Sequence, residues 1–375
     1  MPGPDARVLR CQVLRGLQVP GAGHPAEPCD NLLSGPSPSG WARLRKLWID
    51  VVNEAHARFW RRFLSRYRGP VLLTTRRKGS LVELLGKMLP GMSIAPVGEW
   101  GASDREKLLR YAERVEALAL LLEGEEPCAA VSKGSVEQAR VAFGLGIPLV
   151  AMNDNDLSPH VVTKLTFPLA TVSIVPECFS GPTYGETVRF RGVFEISHVL
   201  DYLEGGEFTR YDLGLDEGGY IIVREPPVAS HYLREDPAFE VAVRRLGDLG
   251  IPILRVRRDG FIELPSGEVV RASLDGLSLI ARSAGVISGG GTMAREAALL
   301  GVPSISLLPR EEPCVSGLLM KAGLMFKAGP SDVVETYRRA REEWEAGNLK
   351  ERAWKFLSVC EDPVSVVMEV LRRFC

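Results

Sequence analysis

From Lys46 onward, short apolar runs alternate with windows in which apolar residues recur every three or four positions. KLWIDVV precedes a helical window from Ala55 to Tyr67, PVLLTT precedes Leu81 to Leu89, and a longer window spans Asp104 to Leu122. CAAVS, the window Glu137 to Leu145, IPLVAM and TVSIVPE complete a first block. Apolar runs of this length, rich in β-branched residues, predict buried strands, and the 3.6-residue windows predict helices that cover them. Such alternation builds right-handed crossovers and a parallel sheet with helices on both faces. The stretch Tyr184 to Asp216 is less regular. The alternation then restarts with GYIIVR, Phe239 to Leu249, IPILRV, Leu274 to Arg282, GVIS, Met293 to Leu300, PSISLL, Val315 to Ala322, LMFKA and a helix from Ser331. The fold class is therefore α/β, with two Rossmann-like parallel-sheet domains facing a cleft. The expected boundaries are 44–195, 196–362 and a terminal helix at 363–375 that can pack on either domain. Residues 1–43, rich in Pro, Gly and Ser and lacking both periods, predict a disordered extension.

Charge narrows the function classes. The 46 Lys and Arg nearly balance 47 Asp and Glu, for a net charge of -1, so no global field draws the chain to nucleic acid or anionic lipid. No apolar run approaches the roughly 20 residues that cross a bilayer. The seven cysteines are scattered and never form C-x-x-C, which argues against a zinc ribbon or a redox motif and for reduced or buried thiols in a cytoplasmic protein. Scarce Gln and Asn, with Arg as the main cation, lean towards a thermophile, where an intracellular disulfide is less surprising.

The strongest local signal is GVISGGGTMAREAALLGVPSIS. An apolar strand ends in Ser288, Gly289, Gly290 and Gly291, and a helix starts at Thr292, an expected N-cap. Glycines admit a ligand close to the backbone, and the first helical N–H groups favour a phosphate. Glu296, one turn into that helix, can reach a ribose hydroxyl. The glycines come too late and at the wrong spacing for a dinucleotide fingerprint, and no Gly-Lys-Ser/Thr follows as in a P-loop. Asp50, Asn53 and His56 follow the first strand at the edge where α/β sheets place ligands. His56 is either a general base or a packed residue. Lys133-Gly134-Ser135 forms a second turn before a helix, a phosphate nest or a plain cap. Asn153 and Asp154 open a polar run that can bind acceptor hydroxyls or a divalent cation, or simply turn the chain. The clusters Arg76-Arg77-Lys78 and Arg255 to Arg258 read chiefly as solvated strand ends, and Glu195 and His198 are placed to bridge the cleft.

The glycine turn with its following Glu resembles the diphosphate-binding loop of two-domain GT-B enzymes, the glycosyltransferases and UDP-N-acetylglucosamine 2-epimerases. More closely, WIDVVNEAHARF, SKGSVEQARVAFGLGIPLVAMNDN, KLTFPLA and GGGTMAREAALLGVPSIS together resemble the largely archaeal family called domain of unknown function 354, over about residues 46 to 330. The resemblance implies a GT-B fold with the acceptor on the first domain and the nucleotide on the second. The epimerase pattern carries over at Gly290, Gly291, Thr292 and Glu296. It carries over by position only at Arg224 and His231, after the first strand of the second domain, and at Asp154, where epimerases hold a Glu. Asp154, His231 and His56 are the catalytic candidates. The implied substrate is a UDP-sugar or other nucleotide sugar, with a glycan or lipid-linked acceptor, no obligatory cofactor or metal, and no nucleic-acid partner; oligomeric state is open. Glycosyl transfer and epimerisation both fit, the alternative is a non-catalytic nucleotide- or glycan-binding protein, and an NAD oxidoreductase is disfavoured.

Overall fold

The computed structural model describes residues 45–157, 161–205, 215–226, 237–257, 261–271 and 276–375, so the expected disordered extension lies outside the described residues. In chain order the first half runs β1 (Leu47–Val51), α1 (Ala57–Arg66), β2 (Val71–Arg77), α2 (Leu81–Met88), β3 (Ile94–Glu99), α3 (Asp104–Leu121), β4 (Ala129–Lys133), α4 (Val136–Gly144), β5 (Leu149–Met152), α5 (Val161–Thr166), β6 (Val172–Pro176) and β7 (Glu186–Phe190). Helix α6 (Glu195–Leu203) leads into β8 (Ile221–Arg224), α7 (Pro237–Gly247), β9 (Ile253–Val256), β10 (Phe261–Glu263), β11 (Val269–Arg271), α8 (Gly276–Ala281) and β12 (Gly285–Ser288). The chain ends with α9 (Thr292–Leu299), β13 (Ser304–Ser306), α10 (Cys314–Lys321), β14 (Phe326–Lys327), α11 (Val333–Glu345), α12 (Asn348–Val359) and α13 (Pro363–Leu371).

The strands form two seven-stranded sheets, ordered β3-β2-β1-β4-β5-β6-β7 and β11-β10-β9-β8-β12-β13-β14. The first is parallel throughout; the second is parallel except for the β9-β10-β11 edge. Strands β1, β4, β5 and β6 are buried at every residue, because helices cover both sheet faces. Along β1, Leu47, Ile49 and Val51 enter one core with Phe59, Trp60 and Phe63 of α1, while Trp48 enters the opposite core with Leu118 and Ala130. Each sheet reverses its strand order once, between β1 and β4 and between β8 and β12, and ligand crevices form outside such points.

Several elements depart from the sequence expectations. The less regular stretch from Tyr184 contains β7 and α6, whose short polar-flanked runs hide their periods. Strand β3 carries Pro96 and Gly98, which read as breakers, yet it is an edge strand where a missing donor is tolerated. The hairpin β10-β11 is built from three-residue strands, too short to show alternation. Helix α13 settles on the first half, burying Val364, Val367 and Leu371 in the core of α1. The expectation of reduced thiols is corrected: Cys128 pairs with Cys375 and Cys178 with Cys314, at Cα separations of 5.3 and 5.7 Å. Spacing along the chain cannot reveal such pairs, which lie 247 and 136 residues apart. Cys360 is a free thiol, and Cys11 and Cys29 lie outside the described residues. No helix among the described residues is long and apolar enough to cross a membrane.

Candidate functional site

A cleft of about 390 Å³ runs between the two halves, lined by Asn53, Asp154 and Asn155 from the first and by Arg224, Ser288, Gly290, Gly291, Thr292 and Glu296 from the second. The glycine turn thus sits at the switch point of the second sheet. Its internal packing is tight. Ser288 Oγ accepts from Gly290 N at 3.0 Å, and Gly289 N donates to the Arg224 carbonyl at 3.0 Å. A Cβ at Gly289 would lie 2.8 Å from Pro226 Cβ, and one at Gly291 would collide with the Arg295 guanidinium. Gly289 is therefore required by packing inside the protein, whatever it does for a ligand, while a side chain at Gly291 would displace the Arg295 guanidinium. Thr292 is the first helical residue rather than the N-cap; Gly291 caps through its backbone alone, with no side-chain bond. The first N–H groups of α9 thus lack intrahelical partners beside the cleft, where they favour an anion.

Glu296 lies on the cleft side of α9, and its Oε1 is 2.8 Å from His198 Nδ1 of α6. Next to it on the same helix, Arg295 reaches Glu195 Oε1 at 2.7 Å and Asp154 Oδ2 at 3.8 Å. Asp154, just after β5, also receives Lys133 Nζ at 3.1 Å. Burial works against its charge, but Lys133 and then Arg295 outweigh burial and hold the carboxylate well below its usual range. Burial likewise opposes the Arg295 charge, and Glu195 and Asp154 more than compensate, so the guanidinium stays protonated. His56 closes the 3₁₀ turn Glu54–His56, and its Nδ1 is buried without a hydrogen-bond partner. Burial first, and then the Lys133 ammonium, push its proton affinity well below the usual histidine range. The imidazole is therefore neutral and retains a ring nitrogen with an unused hydrogen bond.

The other expected site residues divide between wall and scaffold. Asn53 lines the cleft, and Arg224 does so while donating to the carbonyls of Val256 and Arg257 at 3.3 and 2.6 Å. Asp50 is buried within the first sheet. Its carboxylate takes Arg114 at 2.7 Å, Ser135 Oγ at 2.6 Å and Thr74 Oγ1 at 2.7 Å. Burial opposes that charge, while Arg114 and these hydrogen bonds keep the pKa low. Ser135 caps α4 by accepting from Gln138 N at 3.2 Å, and Gly134 turns the chain at a φ of 81°, so this nest serves the fold. Asn153 is equally occupied, accepting from Asp154 N and Asn155 N and donating to Thr163. None of Asp50, Gly134, Ser135, Asn153 or the catalytic candidate His56 lines the cleft. Arg76 is not a solvated strand end; it is buried against Glu137 and the Val52 carbonyl. His231 and Arg258 lie outside the described residues.

Arg295 was not singled out by the sequence, and Lys133 was read only as part of a phosphate nest or cap, although a signal for a buried charge existed for each. Arg295-Glu296 is the one charged pair in an otherwise Ala- and Leu-rich helix, and a charge in such a helix needs a partner. Lys133 ends a strand whose neighbours are all buried. Glu195 and His198, expected to bridge the cleft, instead bond to Arg295 and Glu296 of α9, and neither lines the cleft.

Two Rossmann-type sheets with a ligand-sized cleft between their switch points define the GT-B fold. The chain belongs to the family described as protein of unknown function (DUF354), whose model matches residues 45–374 and so extends beyond the motifs that carry the resemblance. The uncharacterised protein MJ0665 of Methanocaldococcus jannaschii is 30% identical over 294 residues, covering 71% of this chain and 82% of that protein. Among solved structures, the UDP-N-acetylglucosamine 2-epimerase of Rickettsia bellii superposes with a TM-score of 0.62 at 16% identity, over 88% of this chain and 99% of that one. The Neisseria meningitidis 2-epimerase bound to UDP-N-acetylglucosamine gives 0.60 at 14%, over 88% and 100%. The spinosyn forosaminyltransferase SpnP gives 0.59 at 16%, over 89% and 100%. At these identities the likeness is one of fold.

Proposed function

We propose that the protein binds a nucleoside diphosphate sugar in this cleft and transfers its sugar to an acceptor hydroxyl. The observation that carries the reading is the amino end of α9, which opens at the switch point of the second sheet and faces Asp154 across the cleft. The diphosphate would lie on the N–H groups of Gly291 to Met293, with Glu296 accepting from the ribose hydroxyls. As the bond from the sugar anomeric carbon to the phosphate oxygen breaks, its electron pair goes to that oxygen, where the helix N-terminus stabilises the growing charge. The acceptor oxygen bonds to the anomeric carbon and gives up its proton. Ionised Asp154, which lines the cleft, is placed to orient that hydroxyl and to receive its proton as the new bond forms. The UDP-N-acetylglucosamine 2-epimerase structures of the same fold make a uridine nucleotide the first candidate.

Transfer is preferred to epimerisation because removing a C–H proton requires a strong base. The proton affinities of Asp154 and His56 are both lowered, and His231, the other base considered for epimerisation, lies outside the described residues. Binding without turnover is the second reading, favoured by the same clamp of Lys133 and Arg295 on Asp154. A thermal-shift titration with UDP, UDP-N-acetylglucosamine, other nucleotide sugars and NADH tests the assignment, since a ligand of the folded state raises stability by mass action. A UDP compound is expected to raise the melting temperature, and Glu296→Ala to weaken its affinity by about 10- to 100-fold, the range of one or two charged hydrogen bonds. No shift with any nucleotide would overturn the reading. An unchanged affinity in the variant would remove Glu296 from the site.

A further inference from the structure

The chain crosses between the two halves twice, from β7 into α6 and again from α12 into α13. The crossings lie side by side: Glu361 N donates to the Arg191 carbonyl at 2.8 Å, and Arg191 N to Glu361 Oε2 at 2.7 Å. Two adjacent crossings leave a rotation between the halves, the ordinary means by which a cleft of this kind opens. The structure holds a third covalent tie. Cys178, just after β6 in the first half, is bonded to Cys314, the first residue of α10 in the second. A hydrogen bond reinforces it, because Asp156 Oδ1 accepts from Cys314 N at 3.0 Å across the two halves while its Oδ2 holds Ser180 Oγ at 2.8 Å. Both flanks of the tie reach the cleft. Asp154 and Asn155 line it just before Asp156, and Glu312, Pro313 and Val315 line it around Cys314.

We propose that the Cys178–Cys314 disulfide is a clasp that limits cleft opening, and that thiol–disulfide exchange with an external thiol releases it. In the exchange a thiolate attacks one bridge sulfur to give a mixed disulfide. A second equivalent of the thiol then resolves it, leaving Cys178 and Cys314 as thiols and the reagent as its disulfide, so that two electrons and two protons pass to the protein. The clasp restrains the segments that carry Asp154 and Glu312, so its release frees the cleft walls without altering a residue of the glycine turn.

The test uses the full chain with Cys128→Ser and Cys375→Ser, in which the clasp is the remaining bridge among the described residues. Differential alkylation with mass spectrometry, before and after a thiol reductant, reports whether Cys178 and Cys314 are paired. Amide hydrogen exchange then reports the Cys314 N–H and residues 153–157 and 311–316. Pairing before reduction is expected, with exchange in these segments about tenfold faster or more after it, and with the same acceleration in a Cys178→Ser/Cys314→Ser chain that has not been reduced. Free thiols at both positions in protein purified without reductant would overturn the proposal. So would exchange that is unchanged by reduction while alkylation shows the bridge opened. If the double serine variant fails to fold, reduction of the disulfide-bearing chain still decides between these outcomes. None of these readouts requires a nucleotide, so failure here is separate from failure of the nucleotide-sugar assignment.

Discussion

Burial and the Lys133 ammonium make a proton on His56 costly in the folded chain, whereas the unfolded chain accepts one at about pH 6.5. Below that pH the unfolded state therefore binds more protons, and stability falls as pH drops from about 6.5 towards the lowered folded value. His56→Gln is expected to flatten this slope in melting curves below about pH 6.5, while the wild type keeps it. Equal slopes would show that His56 is readily protonated in the native state. Much of the site at this scale was legible. The glycine turn, Glu296 and Asp154 stand out by residue type and by their position after apolar runs, and all meet at the cleft. Asp50 and Ser135 stand out equally, but their oxygens are consumed within the protein. Residue type does not tell a carboxylate that awaits a ligand from one that has met an Arg side chain 64 residues away.

Helix α6 is the element on which the two halves meet, and its charges face both ways. Glu195 and His198 point to α9, while Asp201 accepts from Arg58 and Arg61 of α1 at 2.9 and 2.7 Å. Phe194, at its start, packs on Phe59 and Phe190 of the first half, and Ile196 and Val199 enter the core of the second. Asp201→Ala removes the carboxylate facing buried Arg58, and urea unfolding is expected to show a loss of about 3 kcal/mol, the low end for stranding one partner of a buried pair. A loss below about 0.5 kcal/mol would place the pair among weak surface contacts. The sequence concealed α6 because its nine residues, EISHVLDYL, give only about two turns of pattern after a polar-flanked run. By contrast, the helices that cover one sheet face, such as α1 and α2, and the strands they follow were read close to their observed bounds. Burial on one side imposes one period.

At the scale of the molecule, α13 returns to the first half and the Cys128–Cys375 bridge fastens the chain end beside β4. Closing a segment of that length lowers the entropy of the unfolded chain, so Cys128→Ser with Cys375→Ser is expected to lower unfolding free energy by about 2–4 kcal/mol. The fall should appear in melting curves of the oxidised proteins and vanish when both are reduced; a loss that survives reduction would mean that packing, not the crosslink, had changed. Two largely parallel sheets, their crossover helices and the glycine turn at a strand's end were determined by local period and residue type, because each depends on side chains within a few turns of one another. Which cysteines pair, where α13 docks, and the joining of Lys133, Asp154, Arg295 and Glu195 into one buried charge network were decided only by the tertiary structure. Those partners lie tens to hundreds of residues apart, and only packing two sheets around a shared helix brings their charges within a few ångströms.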